Sequence, residues 1–297
     1  MARIGIVGLG NIGTAVARLL LEDGDEVTGF DIDSGRGAVL TSLGGVAVKS
    51  PREVADRSDL VFTAVASLGA LPVIATGPEG LASSTHRGFV LVDFSTLPLE
   101  EKEGVRSALA AEGIPMVDCP ISGTGGQVEA RDAVFMASGE PAAVGAAMPI
   151  LRRLGKAAYE VGRFGDGSRM KFIANLLVAV HSAVAGEALA LAEKAGLDPG
   201  RVLEVIRGGA ANSRMWEVRG PMIVQRSYQK PAARVSMMVK DAHLITDFAR
   251  SVGAATPFLD VACALYEQAA AAGLADWDVA GVHAFIEDMA SGKPAGD

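Results

Sequence analysis

One glycine spacing narrows the possible folds more than any other feature of the chain. Gly8-Leu9-Gly10-Asn11-Ile12-Gly13 follows the run Arg3-Ile4-Gly5-Ile6-Val7 directly and opens into Thr14-Ala15-Val16-Ala17-Arg18-Leu19-Leu20, a helical pattern. Strand, glycine-rich turn and helix in that order make the fingerprint of a dinucleotide-binding unit. One glycine allows the tight turn, one lets a pyrophosphate approach the main chain, and one lets helix and strand pack closely. The helix start adds free N–H groups and the positive end of its dipole. Asp31 closes the next apolar run, about 20 residues on, where a carboxylate can hydrogen-bond the adenosine ribose hydroxyls. A carboxylate there repels the extra phosphate of NADP, so NAD is the expected cofactor, with Arg36 near enough in sequence to keep NADP as the lesser reading. The reading without a ligand is a glycine-rich packing turn, which the placement of Asp31 does not explain.

Beyond this motif the first half alternates β-branched runs with helical patterns, as parallel βαβ units do. Strands are expected at 3–8, 26–31, 59–65, 89–93, 116–118, 134–138 and 157–160, and helices at 11–22, 36–43, 99–112 and 142–154, with a further helix starting at Ser50-Pro51. After about Gly167 the strand signals stop. Residues 168–195 contain no proline and predict one helix roughly 42 Å long at 1.5 Å per residue. Shorter helices are expected near 200–208, 219–225, 239–252, 257–272 and 279–289. The fold class is therefore α/β: a Rossmann-type doubly wound sheet (1–164), a connecting helix (165–195) and an all-α domain (196–297) for substrate and assembly. At 297 residues there is enough chain for both domains to hold a core.

Composition removes several function classes. The formal net charge is −8 and no basic cluster stands out, which argues against a nucleic-acid surface. The two cysteines, Cys119 and Cys263, are far apart and outside any Cys-x-x-Cys, so neither a disulfide framework nor a zinc motif is suggested. The longest apolar stretch, 172–185, is broken by Asn175, His181 and Ser182, and reads as an amphipathic helix rather than a membrane span. With the first strand starting at Arg3, a cytoplasmic protein is expected.

The second informative segment is Gly165-Asp166-Gly167-Ser168-Arg169-Met170-Lys171-Phe172-Ile173-Ala174-Asn175, at the start of the long helix. Lys171 and Asn175 share a face, about 6 Å apart along the axis. Their neighbours are nearly all apolar, and a helix apolar over so much of its circumference should be largely buried. Burial lowers a lysine pKa and so prepares it for proton transfer. The alternative is that Lys171 reaches solvent along its own stem and does nothing.

At this point the chain resembles the β-hydroxyacid dehydrogenase family, which includes 3-hydroxyisobutyrate dehydrogenase and tartronate semialdehyde reductase. The resemblance runs nearly end to end. Besides the glycine fingerprint it rests on Asp93-Phe94-Ser95-Thr96-Leu97-Pro98, Asp118-Cys119-Pro120-Ile121-Ser122-Gly123-Thr124, the 165–175 segment and Lys240-Asp241. It implies Lys171 as general acid/base, Asn175 holding the substrate oxygen, and Ser122, Gly123 and Thr124 gripping the substrate carboxylate. Cofactor contacts would come from Gly8, Gly10, Asn11, Ile12, Gly13, Asp31, Val65, Ser95, Thr96 and Lys240, with Lys240 also depressing the pKa of Lys171. The sequence departs from the family pattern at Thr124, where a second glycine is common, at Ile12, where methionine is common, and in Ala64-Val65-Ala66-Ser67-Leu68, which lacks an acidic residue. The implied partners are a small hydroxy acid or semialdehyde and further copies of the chain, as a homodimer or homotetramer.

Other residues are given plainer readings. His181 is expected to be a hydrogen-bonded core histidine, and His86, His243 and His283 surface or interface residues. Ser182 and Gly186 are expected to serve close helix packing. The segment Asn212 to Arg219 either closes the substrate pocket or packs Trp216 into a core, and nothing suggests an activated thiolate at Cys119. Against NAD-linked oxidation of a 3-hydroxy acid stand an NADPH-dependent semialdehyde or imine reductase and a dinucleotide-binding protein without catalysis. Lys171 argues against imine reduction, and the Lys171–Asn175 face has no use in a pure binder.

Overall fold

A computed structural model of the chain describes residues 1–291 and divides it into two compact units, Met1–Lys171 and a second that begins at Phe172. In the first unit nine strands form one sheet: β1 (Arg3–Val7), β2 (Glu26–Phe30), β3 (Val46–Ala47), β4 (Leu60–Thr63), β5 (Val90–Asp93), β6 (Met116–Asp118), β7 (Ile121–Ser122), β8 (Val134–Ser138) and β9 (Ala157–Gly162). Helices α1 (Asn11–Glu22), α2 (Ser34–Ser42), α3 (Pro51–Ala55), α4 (Ala70–Thr76), α5 (Leu99–Ala111), α6 (Gly125–Glu129) and α7 (Pro141–Leu154) connect them. The order β3-β2-β1-β4-β5-β6-β8-β7, with β9 beside β8, is parallel from β3 to β6. This is the Rossmann arrangement, whose chain reversal between β1 and β4 opens a crevice at the carboxyl ends of the strands.

Local chemistry explains these elements. β4 is buried at every position and β1 at all but Arg3, as parallel strands covered on both faces require. Two apolar clusters lie among the strands and helices, one containing Ile4, Ile6 and Phe62, the other Val7, Val61 and Leu91. Ser50 caps α3 by accepting the Glu53 N–H, with Pro51 in the first turn. The expected strand 59–65 is shorter, because the chain leaves the ladder after Thr63, and β3, β7, α4 and α6 are additions to the elements expected. Each of these four is short, two to seven residues, and offers little periodicity to read.

Helix α8 (Asp166–Lys194) is continuous, starting in the first unit and running into the second. The second unit adds α9 (Pro199–Arg207), α10 (Arg214–Val224), α11 (Val235–Ser251), α12 (Pro257–Ala269) and α13 (Val282–Ser291). Two starts come earlier than expected, α10 at Arg214 and α11 at Val235. For α10 the signal is in the sequence: Ser213 accepts the Trp216 N–H at 3.1 Å as an N-cap. Trp216 is buried and donates its indole N–H to the Leu203 carbonyl at 3.2 Å, so this aromatic serves the core.

α8 is largely buried, as its apolar circumference leads one to expect, and leaves a single exposed stripe. Phe172, Ala179 and Ala183 pack in one cluster with residues of α11 and α12, whereas Ile173 is 57% and Leu191 70% exposed, with Met170, Leu177 and Val184 also outward. Leu176, Val178 and Val180 pack partly buried against the same cluster, and Ala185 and Leu189 belong to a second one, so only the outward stripe is surplus to the core. By length and composition α8 could cross a membrane, but 44% of its most apolar window is already buried within the protein. Gly186 lies against α13, where an added Cβ would sit 3.1 Å from Val282 Cγ1 and 3.3 Å from the His283 nitrogen, which bears out its packing role.

The second unit is tied by a buried ion pair. Arg219 Nη1 donates to both carboxylate oxygens of Asp278, at 2.8 and 3.0 Å, and Asp278 also accepts the Ala232, Ala233 and Ala280 N–H groups. Both side chains are almost fully enclosed. Replacing Asp278 with alanine should cost about 3–5 kcal/mol, because it leaves a guanidinium buried without its partner. Urea denaturation will measure this, and a loss under about 1 kcal/mol would show that the pair is dispensable.

Candidate active site

The glycine turn is shaped by two demands. Gly8 has φ +95°, a conformation glycine accepts freely, and a Cβ on Gly13 would lie 1.9 Å from the Gly8 carbonyl oxygen, so that position is closed to any side chain. At Gly10 the nearest group to an added Cβ is Arg36 Nη1 at 3.6 Å. The protein's own packing therefore does not require glycine there, whereas a pyrophosphate approaching the main chain does. No side chain caps α1 at Gly10, which leaves its first turn, Asn11 and Ile12, without a capping partner. Asp31 Oδ2 accepts the Leu9 N–H at 2.7 Å and Arg36 Nη1 at 3.2 Å, while Oδ1 accepts the Asp33 N–H at 2.9 Å. Of about four lone-pair positions on the carboxylate, these three donors leave one to accept from a further group. An open cradle, an uncapped helix start and a fixed acceptor fit a dinucleotide.

Further along the same strand edge lies a buried charge network absent from the sequence reading. Lys102, on α5, is fully buried, with Nζ 2.6 Å from Asp118 Oδ1 and 2.9 Å from Asp93 Oδ2. Burial alone would lower its pKa, but the two carboxylates outweigh burial and hold it above the ordinary lysine value. The ammonium is therefore charged, and its stabilisation is complete below the unfolded lysine pKa of about 10.4 and lost only as pH rises through the higher folded value. Asp93 Oδ1 accepts the Thr63 and Ser95 hydroxyls, both at 2.7 Å, and Ser95 Oγ in turn accepts the Val65 N–H at 3.0 Å. Asp118 accepts the Ser168 N–H at 2.7 Å and the Ser168 hydroxyl at 2.8 Å, and Ser138 Oγ accepts the Gly167 N–H at 2.9 Å. One ammonium thus joins the turns after β4 and β5 to the first turn of α8, which carries Lys171.

Ser95 is in consequence a brace between two strand ends, its hydroxyl donating to one and accepting from the other, and Thr96 beside it is half-buried. In the 122–124 loop, Gly123 has φ +152° and an added Cβ would meet Ala133 Cβ at 2.9 Å, so its backbone accounts for the glycine without a ligand. Thr124 caps α6: its hydroxyl accepts the Gln127 N–H at 3.4 Å and its own N–H donates to Gln127 Oε1 at 3.0 Å. That N–H is spent, while the hydroxyl hydrogen and Ser122 remain as donors. Gly125, beside it, would carry a Cβ only 2.9 Å from the Asn11 carbonyl oxygen, which seats the start of α6 against the start of α1. The loop and the glycine turn are neighbours for this reason.

Lys171 is half-buried. In the second unit Asn175 is buried and donates from Nδ2 to Asp241 Oδ2 at 2.8 Å. A carboxylate only accepts, so Asp241 fixes which end of the amide faces it and leaves Asn175 Oδ1 as the presented acceptor. Lys240 lies 3.1 Å from Asp241 Oδ1. Asp241 therefore brings Asn175 and Lys240 together. The histidines need correction: His181 is half-buried rather than in a core, and His283 is fully buried, with Nδ1 3.2 Å from the Tyr228 hydroxyl. Burial pushes the His283 pKa below the ordinary value, against the pull of Glu287. Its place on the inner face of α13 takes it away from the surface, whereas His243 is exposed as expected.

Residues 3–162 match the family model described as the NAD binding domain of 6-phosphogluconate dehydrogenase, and residues 165–286 match NAD-binding of NADP-dependent 3-hydroxyisobutyrate dehydrogenase. L-threonate dehydrogenase of Cupriavidus necator is 33% identical over 91% of both chains. 2-Hydroxy-3-oxopropionate reductase of Escherichia coli is 31% identical over 99% of this chain and 100% of its own. The chain belongs to the β-hydroxyacid dehydrogenase family. The structure of 3-hydroxyisobutyrate dehydrogenase from Salmonella typhimurium superposes with a TM-score of 0.86 at 31% identity, covering 95% of this chain and 99% of that one. The enzyme is accordingly an NAD(P)-dependent oxidoreductase acting on CH–OH donors, and the reading as a non-catalytic binder falls away.

A sequence signal for Lys102 does exist in this dehydrogenase. Within the charged run Glu100-Glu101-Lys102-Glu103 it lies three and seven residues before Val105 and Leu109, which are buried, and so falls on their stripe. Replacing Lys102 with methionine leaves two carboxylates buried together and should cost about 3–5 kcal/mol of stability, read by urea denaturation. A variant within about 1 kcal/mol of the parent would show that the network is not structural.

Proposed function

We propose that the enzyme is a cytoplasmic NAD-dependent dehydrogenase of a small 3-hydroxy acid, working also in reverse on the corresponding semialdehyde, with Lys171 as general acid/base. The observation that carries this reading is the double hydrogen bond from Ser168 to Asp118, which fixes the first turn of α8 at the carboxyl end of β6. A lysine one turn further on stands near the strand edge where ligands of this fold bind. Residues 1–164 are the NAD-binding domain, 165–195 the connecting helix, and 196–297 the part serving substrate and assembly.

Each residue then has a task. Gly8, Gly10, Asn11, Ile12 and Gly13 receive the pyrophosphate, Asp31 accepts from the adenosine ribose, and Val65, Ser95, Thr96 and Lys240 border the nicotinamide side. Bound nicotinamide supplies the hydride acceptor. Lys171 takes the proton of the substrate hydroxyl during oxidation and returns it during reduction. Asn175, oriented by Asp241, holds the same oxygen, and Ser122, Gly123 and Thr124 hold the substrate carboxylate. Substrates of the size named for the relatives, L-threonate and 2-hydroxy-3-oxopropionate among them, suit this set of short polar groups. The outward apolar residues of α8, with Phe258 at 78% and Val261 at 72% exposure on α12, support a homodimer or homotetramer.

NADP is favoured by one observation, the Arg36 guanidinium 3.2 Å from Asp31 and half exposed. NAD remains the stronger reading because Asp31 is held in place by main-chain donors whatever Arg36 does. Lys171→Ala should lower kcat by about 10²–10⁴ while NADH binding, followed by fluorescence, is retained; undiminished turnover would remove the lysine from the mechanism. Asp31→Ser should narrow the ratio of kcat/KM for NAD over NADP, and equal change with both cofactors would refute the ribose role.

A further inference from the structure

Three donors of different chemistry converge between α11 and α12. His243 Nε2 lies 2.6 Å from Glu267 Oε1, and one ligand atom each from His243, Cys263 and Glu267 fall within 4.8 Å of one another. Cys263 and Glu267 are one helical turn apart, so both project to the same side of α12. The thiol is only 8% exposed, and among the described residues it has no hydrogen-bond partner, while the imidazole and carboxylate are roughly half exposed and free to adjust. No lysine or arginine among the described residues pairs with Glu267. The other His–carboxylate cluster, Glu193, His283 and Glu287, differs on that point: Arg226 donates to Glu193 at 3.0 Å and to Glu287 at 2.5 Å, so a protein cation already fills it.

We propose that His243, Cys263 and Glu267 form a binding site for a borderline-soft divalent cation of the Zn²⁺ class, with water as the fourth ligand. Zn²⁺ takes nitrogen, thiolate and carboxylate ligands at about 2.0–2.3 Å in tetrahedral geometry. Closing on that geometry asks the His243–Glu267 pair to open and both groups to swing towards the thiol, movements available to two exposed side chains. The thiol gives its proton to solvent on binding, and the imidazole keeps one proton, moved from Nε2 to Nδ1. The bound ion ties α11 to α12. Because α11 also carries Asp241, the tie bears on the helix that orients Asn175.

The test is titration of the chelator-treated full chain with Zn²⁺ by calorimetry, and with Co²⁺ by absorption spectroscopy. One ion per chain at micromolar affinity is expected, with a thiolate-to-cobalt charge-transfer band. Cys263→Ser should abolish the band, and His243→Gln and Glu267→Gln should each weaken binding at least tenfold, while Cys119→Ser changes neither. No micromolar binding by the parent chain, or binding equally strong in the His243 and Glu267 variants, would overturn the site. Circular dichroism of each variant will separate loss of a ligand from loss of fold, and His243→Gln, at an exposed position, keeps the test decisive if the cysteine variant unfolds.

Discussion

The turns after β4 and β5 and the start of α8 depend on how one buried ammonium is neutralised. Lys102 is enclosed with Asp93 and Asp118, and none of the three is tolerable there without the others. The carboxylates have capacity beyond the lysine, and they use it on Thr63, Ser95 and Ser168. The network therefore does more than cancel charge: it sets the positions of two loops and a helix start that the sheet alone leaves undetermined. Loops that carry a site are ordinarily positioned by the scaffold beneath them, and here that scaffold is ionic.

The helical unit repeats the principle with other residues. Arg219 and Asp278 join α10 to the segment before α13, and Asp241 orders Asn175 and Lys240 by the acceptor-only nature of a carboxylate. In both units side chains of the candidate site, Ser95 and Asn175 among them, are held by carboxylates to which no step of the reaction is assigned. Such support fixes orientation, to which catalysis is sensitive on the scale of about 1 Å.

Local rules made much of this legible in advance. α1 at residues 11–22 and the long helix are legible because their patterns span a dozen residues or more, where periodicity is strong. Asp31 stands out by its spacing, and its carboxylate is held by the Leu9 and Asp33 N–H groups. The braces were not found, because a buried lysine inside Glu100-Glu101-Lys102-Glu103 looks like part of a solvated face until its helical phase is compared with Val105 and Leu109. Ser95 and Gly123 were legible as important residues, but their jobs in the fold, a bridge between strand ends and a close contact with Ala133, need the third dimension. His283 was misjudged for the same reason: one histidine on a short helix gives no sign of which side is inside.

The capping box of Thr124 and Gln127 has a thermodynamic meaning for recognition. A segment that closes its own hydrogen bonds through neighbours three residues away settles its shape as the chain folds, without waiting for an incoming molecule. Under the role proposed for this loop, little conformational freedom is then left for a small acid to remove on arrival, so more of its contact energy is expressed as affinity. Discrimination at such a rigid rim falls to size and stereochemistry.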